Sequence, residues 1–158
     1  MDTLTREQRS KQMAKVRSRD TKPEMFVRRL VHRLGYRYSL HKKNLPGNPD
    51  MVFVSRGRAL FVNGCFWHGH ICPLGRMPKS RVDYWSNKIA SNRARDKANL
   101  KKLHALGWKT LVIWECQLND VKLLERRLKR FLEVTMKSKS KLQFLNPSAA
   151  AHLNKPSS

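Results

Sequence analysis

Long apolar runs are missing from this 158-residue chain. None approaches the roughly 18 residues that a membrane-spanning helix needs. The opening residues, MDTLTREQRSKQMAK, hold no apolar stretch of the signal-peptide kind. Cysteine is scarce: Cys65, Cys72 and Cys116 are the whole complement. An odd number of thiols with no leader argues against a disulfide framework. An integral membrane protein and a secreted disulfide scaffold are both disfavoured, and a cytoplasmic protein is expected. Acids are also few, 11 Asp and Glu against 34 Lys and Arg. No internal repeat is visible.

What is present suffices for one ordinary domain. Hydrophobic residues make up 40 % of the chain, enough for a core and too many for a disordered polymer. The formal charge of +23 is spread throughout, with +10 on residues 1–60, +6 on 61–120 and +7 on 121–158. A fold charged throughout repels itself, and a polyanion relieves that repulsion. DNA or RNA is the partner such a charge favours. A merely soluble basic surface and an anionic membrane surface are the plainer readings. Charge does not say whether a nucleic acid is cut.

The spacing of apolar residues predicts an α/β order. Residues 5–18 read as a polar helix or arm, with Thr5 and Gln8 spaced as a capping box. Thr21-Lys22-Pro23-Glu24 repeats that spacing, and Phe26, Val27, Leu30, Val31 and Leu34 then share one helical face, ended by Gly35. Tyr36–Leu40 reads as a short strand and 41–49 as a loop. Asp50–Val54 and Ala59–Val62 read as two arms of a hairpin around Ser55–Arg58. Residues 63–79 are glycine- and proline-rich and irregular. Ser80 with Asp83 is placed to cap a long helix ending near Leu106-Gly107. The apolar run Trp108–Trp114 reads as a buried strand. Asn119 or Asp120 starts a last helix with Val121, Leu124, Leu128 and Phe131 at helical spacing. From Lys137 the composition is that of a mobile tail. A strand reached through a helical crossover makes a parallel pairing natural, so a mixed sheet flanked by helices is expected.

Chemistry concentrates in Asn63-Gly64-Cys65-Phe66-Trp67-His68-Gly69-His70-Ile71-Cys72. Cys65, His70 and Cys72, with Cys116 after the last strand, form a Cys3His set suited to structural zinc. An irregular loop with little core of its own needs such a staple. His68 could replace His70 in the set, and three free thiols are the plainer alternative. A histidine left outside the set could act as general acid or base, or be an ordinary surface residue. Phe66 and Trp67 suit either a core or a wedge into stacked bases. Asp50, at the start of an apolar strand, can hold Mg²⁺ through oxygen or simply turn the chain. Glu24 reads most simply as a capping residue, with a second role near a metal as the alternative.

Taken together, Pro49-Asp50 followed by Gly64-Cys65-Phe66-Trp67-His68 strongly resembles the very-short-patch-repair (Vsr) DNA mismatch endonucleases. The resemblance extends over roughly residues 9–132. It includes Arg9-Ser10-Lys11 with Met13, Arg19-Asp20-Thr21 with Glu24, Leu45-Pro46-Gly47, and Trp108 through Trp114-Glu115-Cys116. It implies a restriction-endonuclease-like single domain with a zinc-stapled loop. The implied activity is a Mg²⁺-dependent nick 5′ of T in T:G mismatches that arise from deamination of 5-methylcytosine. The implied partners are mismatched double-stranded DNA and, functionally, a cytosine-5 DNA methyltransferase. A bacterial cytoplasmic enzyme, associated with the nucleoid when bound to DNA, is also implied.

Carried over residue by residue, Asp50 and the Val62 carbonyl would hold Mg²⁺. His68 would be the general acid or base, with Glu24 supporting the site. Cys65, His70, Cys72 and Cys116 would hold Zn²⁺. Phe66 and Trp67 would wedge from the major groove and Met13 from the minor groove. Asn63 departs from the family, where an ionisable residue, often His, is associated with that position. Asparagine cannot shuttle a proton but can hydrogen-bond phosphate or water. The broader nuclease signature of acid, any residue, lysine is also absent, replaced by Val62-Asn63-Gly64. The expected organisation is a basic arm over 1–20, an endonuclease domain over 21–136 and a tail over 137–158, acting as a monomer. The alternatives are a nuclease of the same fold with another DNA target and a non-catalytic zinc-stapled DNA-binding protein.

Overall fold

The structure, a computed structural model, describes residues 5, 7–8, 19–40 and 42–133. The expected capping box near the start is present. The Gln8 N–H donates to Thr5 Oγ1 (3.2 Å) and the Thr5 N–H donates to Gln8 Oε1 (2.9 Å). The rest of the expected 5–18 helix, Met13 with it, and the 137–158 tail lie outside the described residues.

Helix α1 spans Lys22–Arg33. Thr21 caps it with an extended backbone and a side chain that accepts from the Glu24 N–H, while Pro23 loses nothing by lacking an N–H in the first turn. Val27, Leu30 and Val31 are buried and Leu34 packs beside them. Phe26, expected on the same face, is 39 % exposed. It lies about 100° round the helix from Val27, at the edge of the apolar stripe. Gly35 ends the helix, donating its N–H to the His32 carbonyl at 2.9 Å.

Three strands form a mixed sheet in the order β1 (Met51–Phe53), β2 (Arg58–Asn63), β3 (Lys109–Trp114). β1 and β2 are antiparallel, with Met51 opposite Leu60. β2 and β3 are parallel, with Arg58 opposite Lys109 and Asn63 opposite Trp114. The crossover between them carries helix α2 (Val82–Ala105), and helix α3 (Val121–Glu133) follows β3. Asp120 caps α3 by accepting the Leu123 N–H at 3.0 Å.

Four expectations need correction. The strand expected over 36–40 shrinks to one bridge, Ser39 to Val52. Tyr38 there spends its hydroxyl on the Arg28 carbonyl (3.3 Å) and its ring on Phe53. The first hairpin arm is also shorter, because Val54 already belongs to a 3₁₀ turn, Val54–Arg56. Ser80 does not cap α2: the cap residue is Arg81, in the left-handed region at φ 54°, with no side-chain cap bond. Finally, β3 is buried throughout only at Ile113, because it lies at the edge of the sheet.

The core splits on the two faces of the sheet, as alternation along a strand requires. Met51, Phe53, Leu60 and Ile113 meet Val27, Leu30 and Val31 of α1 and Leu124, Leu128 and Leu132 of α3. Val52 and Ala59 point the other way, onto Leu45, Leu103 of α2 and Trp108. The result is a single mixed α/β domain, with α1 and α3 over one face and α2 over the other.

Candidate active site and metal centre

The chemistry gathers at one end of the sheet. Because β1 runs against β2, Asp50 at the head of β1 lies beside the last residues of β2. Asp50 Oδ2 accepts the Val62 N–H at 2.7 Å. Within an extended strand a residue's N–H and C=O point to the same side. The Val62 carbonyl therefore faces the side on which Asp50 lies, past the end of β1. Carboxylate and carbonyl make an oxygen pair of the kind that Mg²⁺ takes.

Glu24 comes to the same place from α1. It is only 2 % exposed. Its backbone N–H serves the Thr21 cap at 3.4 Å, while its carboxylate turns to the Arg28 guanidinium one turn along. The reading of Glu24 as a plain capping residue therefore covers its backbone only. Burial, opposed by the Val62 N–H and reinforced by the charge of Glu24, pushes the Asp50 carboxyl up to about 7, with Arg28 pulling it down. An acid crowded in this way suits a bound cation.

His68 belongs to a second arrangement. Its Nδ1 lies 2.5 Å from Asp96 Oδ2 on α2. A carboxylate at Nδ1 fixes the proton there and leaves Nε2 as the basic nitrogen. Asp96 was not a sequence candidate. Its one signal is to stand as an acid among Arg93, Arg95 and Lys97. Asn63 is the last residue of β2, opposite Trp114.

The open choice between the two histidines is decided by position. The ligand atoms of Cys65, His70, Cys72 and Cys116 all lie within 4.8 Å of one another, whereas His68 is engaged with Asp96. Ligands about 2.3 Å from a tetrahedral zinc stand roughly 3.8 Å apart, so the set fits that ion. The loop is wound tightly to bring it together. The His70 N–H donates to the Cys65 carbonyl and the Gly75 N–H to the Cys72 carbonyl. A Cβ on Gly75 would come within 1.9 Å of the His70 carbonyl oxygen, so only glycine fits there. The His70 ring stacks on Trp114 at 4.4 Å. Burial pushes the Cys65 thiol up to about 12. At Cys72 burial is outweighed by hydrogen bonds from His70, Cys65 and the Gly75 and Leu74 N–H groups, which bring that thiol down to about 7.

Phe66 and Trp67 enter neither core cluster. They form an edge-to-face trio with Trp85 of α2, at 5.1 Å for Phe66–Trp67, 5.1 Å for Phe66–Trp85 and 6.0 Å for Trp67–Trp85. Asn92 pins the trio by donating to the Trp67 carbonyl at 2.8 Å. Trp85, which sequence reading did not single out, widens the half-exposed aromatic face.

A family model described as DNA mismatch endonuclease Vsr matches residues 1–74. A type II nicking enzyme, V.XorIIP of Xanthomonas oryzae pv. oryzae, is 54 % identical over 132 residues, covering 84 % of this chain and 97 % of that enzyme. The type II nicking enzyme V.NmeAIP of Neisseria meningitidis is 40 % identical, covering 83 % of this chain and 94 % of its own length. The DNA mismatch endonuclease Vsr of Escherichia coli is 37 % identical, covering 79 % and 81 % respectively.

Proposed function

Since the chain belongs to the Vsr family of DNA mismatch endonucleases, we propose that it nicks one strand of DNA on the 5′ side of T in a T:G mismatch. What supports this reading is the hydrogen bond that the Val62 N–H gives Asp50 near the end of β2, together with the His68–Asp96 pair in the loop that follows β2. The Asp50 carboxylate and the Val62 carbonyl would hold Mg²⁺, which would supply charge neutralisation on the scissile phosphate. His68 Nε2 takes the proton of the attacking water as its oxygen bonds to phosphorus, and the bond to the departing sugar oxygen breaks as that oxygen takes a proton from solvent water. Asp96 holds the imidazole and balances its gained charge. Glu24 supports Asp50, and Asn63 hydrogen-bonds phosphate or water without moving a proton.

Phe66 and Trp67, with Met13 from the opposite groove, wedge beside the mismatch. A wobble pair unstacks more cheaply than a Watson–Crick pair, so insertion contributes to selectivity. Zn²⁺ on Cys65, His70, Cys72 and Cys116 staples the loop that carries the wedge. The fold is restriction-endonuclease-like, the enzyme a monomer making one cut, and its biological companion a cytosine-5 methyltransferase. A basic arm over 1–20 and a tail over 137–158 flank the catalytic domain. Among the described residues, no helix is long and apolar enough to cross a membrane.

The test is nicking of labelled duplexes that carry T:G, T:A or C:G at one position in several methyltransferase contexts, with and without Mg²⁺. The expected result is a Mg²⁺-dependent nick beside T of T:G alone. Asp50→Ala should abolish it, and His68→Ala should slow it by about 10²–10⁴-fold. Asp96→Asn should add little on top of His68→Ala, since it acts through that ring. Cutting of another mismatch would keep the nuclease and change the target. Salt-sensitive binding without any cut would leave a binding module.

A further inference from the structure

Among the described residues, lysine and arginine are at least partly exposed except at Arg28 and Arg58. Arg28 is 7 % exposed, on α1, and its fork is held by two acids. One Nη grips the buried Glu24 carboxylate one turn earlier. The other Nη lies 2.7 Å from Asp20 Oδ1, in the bend that leads into α1. Asp20 is itself held at φ 53°, in the left-handed region that non-glycine residues rarely adopt. A fork that spans two carboxylates is a guanidinium property that a point-charge ammonium lacks. With both ends of the fork occupied by acids, Arg28 is poorly placed to meet a DNA phosphate.

We propose that Arg28 is a positioning residue of the metal site: it holds Glu24 beside Asp50, and Asp20 at the root of the basic arm holds Arg28. The inference deepens the proposed function, resting on its Mg²⁺ site at Asp50. Glu24 is buried and Asp50 half-buried, and without a local cation the buried Glu24 carboxylate would turn away from a second acid. The fixed guanidinium supplies that cation before Mg²⁺ arrives, so the acids are already arranged when it binds. The chain Asp20–Arg28–Glu24 also gives the arm a mechanical link to the acidic site.

The experiment is calorimetric titration of Mg²⁺ into the zinc-loaded full chain without DNA, beside Mg²⁺-dependent nicking of the T:G duplex. The variants are Arg28→Met, Arg28→Lys, Glu24→Gln, Asp20→Asn and the double variant Glu24→Gln/Arg28→Met. Arg28→Met and Glu24→Gln should each weaken Mg²⁺ binding about 10–100-fold, the usual cost of losing an outer partner of a metal site. The double variant should be no worse than the weaker single one, because Arg28 acts through Glu24. Arg28→Lys should restore only part of the affinity, because an ammonium supplies the cation without spanning both carboxylates, and KM for DNA should stay within about threefold throughout, as expected for a group that does not touch phosphate. Wild-type Mg²⁺ binding in Arg28→Met, multiplying losses in the double variant, or no Mg²⁺ binding in the wild type would each overturn the proposal. If Arg28→Met does not fold, Asp20→Asn decides: its exposed carboxylate can be lost without unfolding, and binding weakened about threefold is expected. Unchanged binding in that variant would sink the proposal. Absence of T:G nicking with the Mg²⁺ pattern intact would count against the proposed function and leave this inference standing.

Discussion

Asp50 shows how much one carboxyl reports about its surroundings. Burial and the neighbouring Glu24 lift it from 3.8 to about 7. A carboxyl with a folded pKa above its unfolded value binds more protons folded than unfolded between the two. Its contribution to stability therefore falls as pH rises through that window. In Mg²⁺-free buffer with zinc retained, the wild type should lose stability relative to Asp50→Asn between about pH 4 and pH 7, by a few kcal/mol at most. Urea denaturation of both proteins at several pH values measures this, and parallel pH curves would contradict it. Mg²⁺ should reverse the slope by stabilising the ionised acid. The environment of Asp50 was only half readable in sequence. Pro49-Asp50 before an apolar strand pointed to the residue itself. Glu24 comes from another helix, and Arg28 looks like one more surface cation until the fold buries it. Asp96 was missed for the same reason, since the 28 residues separating it from His68 are closed only by α2 lying across the sheet.

Among the elements, the loop from Gly64 to Gly75 has the least hydrophobic support and the most ligands. Its backbone is knotted by short hydrogen bonds around Cys65, His70 and Cys72, and Cys116 ties it to the end of β3. Removing zinc should therefore loosen the loop and the aromatic trio it presents, while both core clusters remain. We expect one zinc per chain by metal analysis, lost or weakened in Cys72→Ser. Stripping it should lower the melting temperature, by about 2–4 °C for each kcal/mol of zinc-binding energy lost to the fold. A zinc-free protein that melts unchanged would leave the cluster as three ordinary thiols. This element was readable because its ligands sit within ten residues and the fourth follows a recognisable strand. Helices α1 and α3 were readable for a similar reason, through their 3.6-residue apolar period, whereas the polar α2 was legible only from its end signals. The segment 36–40 was not, because Tyr36 and Tyr38 pack half-buried against the core as side chains while their backbone lies mostly outside the ladder. Apolar residues in alternation do not by themselves specify a strand partner.

Across the whole molecule, the proposed function gives a charge of +23 and a small aromatic face different work on the same DNA. Cations neutralise phosphates and release counterions, so the affinity they generate depends steeply on salt and hardly on sequence. If six to ten phosphates are contacted, as is common, affinity should fall by about 10³–10⁵ between about 50 and 200 mM salt. Stacking by Phe66, Trp67 and Trp85 displaces no counterions. The ratio of affinities for T:G over T:A duplexes should therefore stay nearly constant across the same titration. Phe66→Ala should lower that ratio by about 5–150-fold, from ~1–3 kcal/mol of lost stacking, and leave the salt slope unchanged. Exchanging Lys97 or Arg93 on α2 for Ala should do the reverse, reducing the slope by about one where the residue meets a phosphate and sparing the ratio. Fluorescence anisotropy with both duplexes at several salt concentrations separates the two. A ratio that collapses with rising salt would mean that the mismatch is read through charged groups. The aromatic trio would then be a rigid support for the loop rather than the part of the protein that enters the stack.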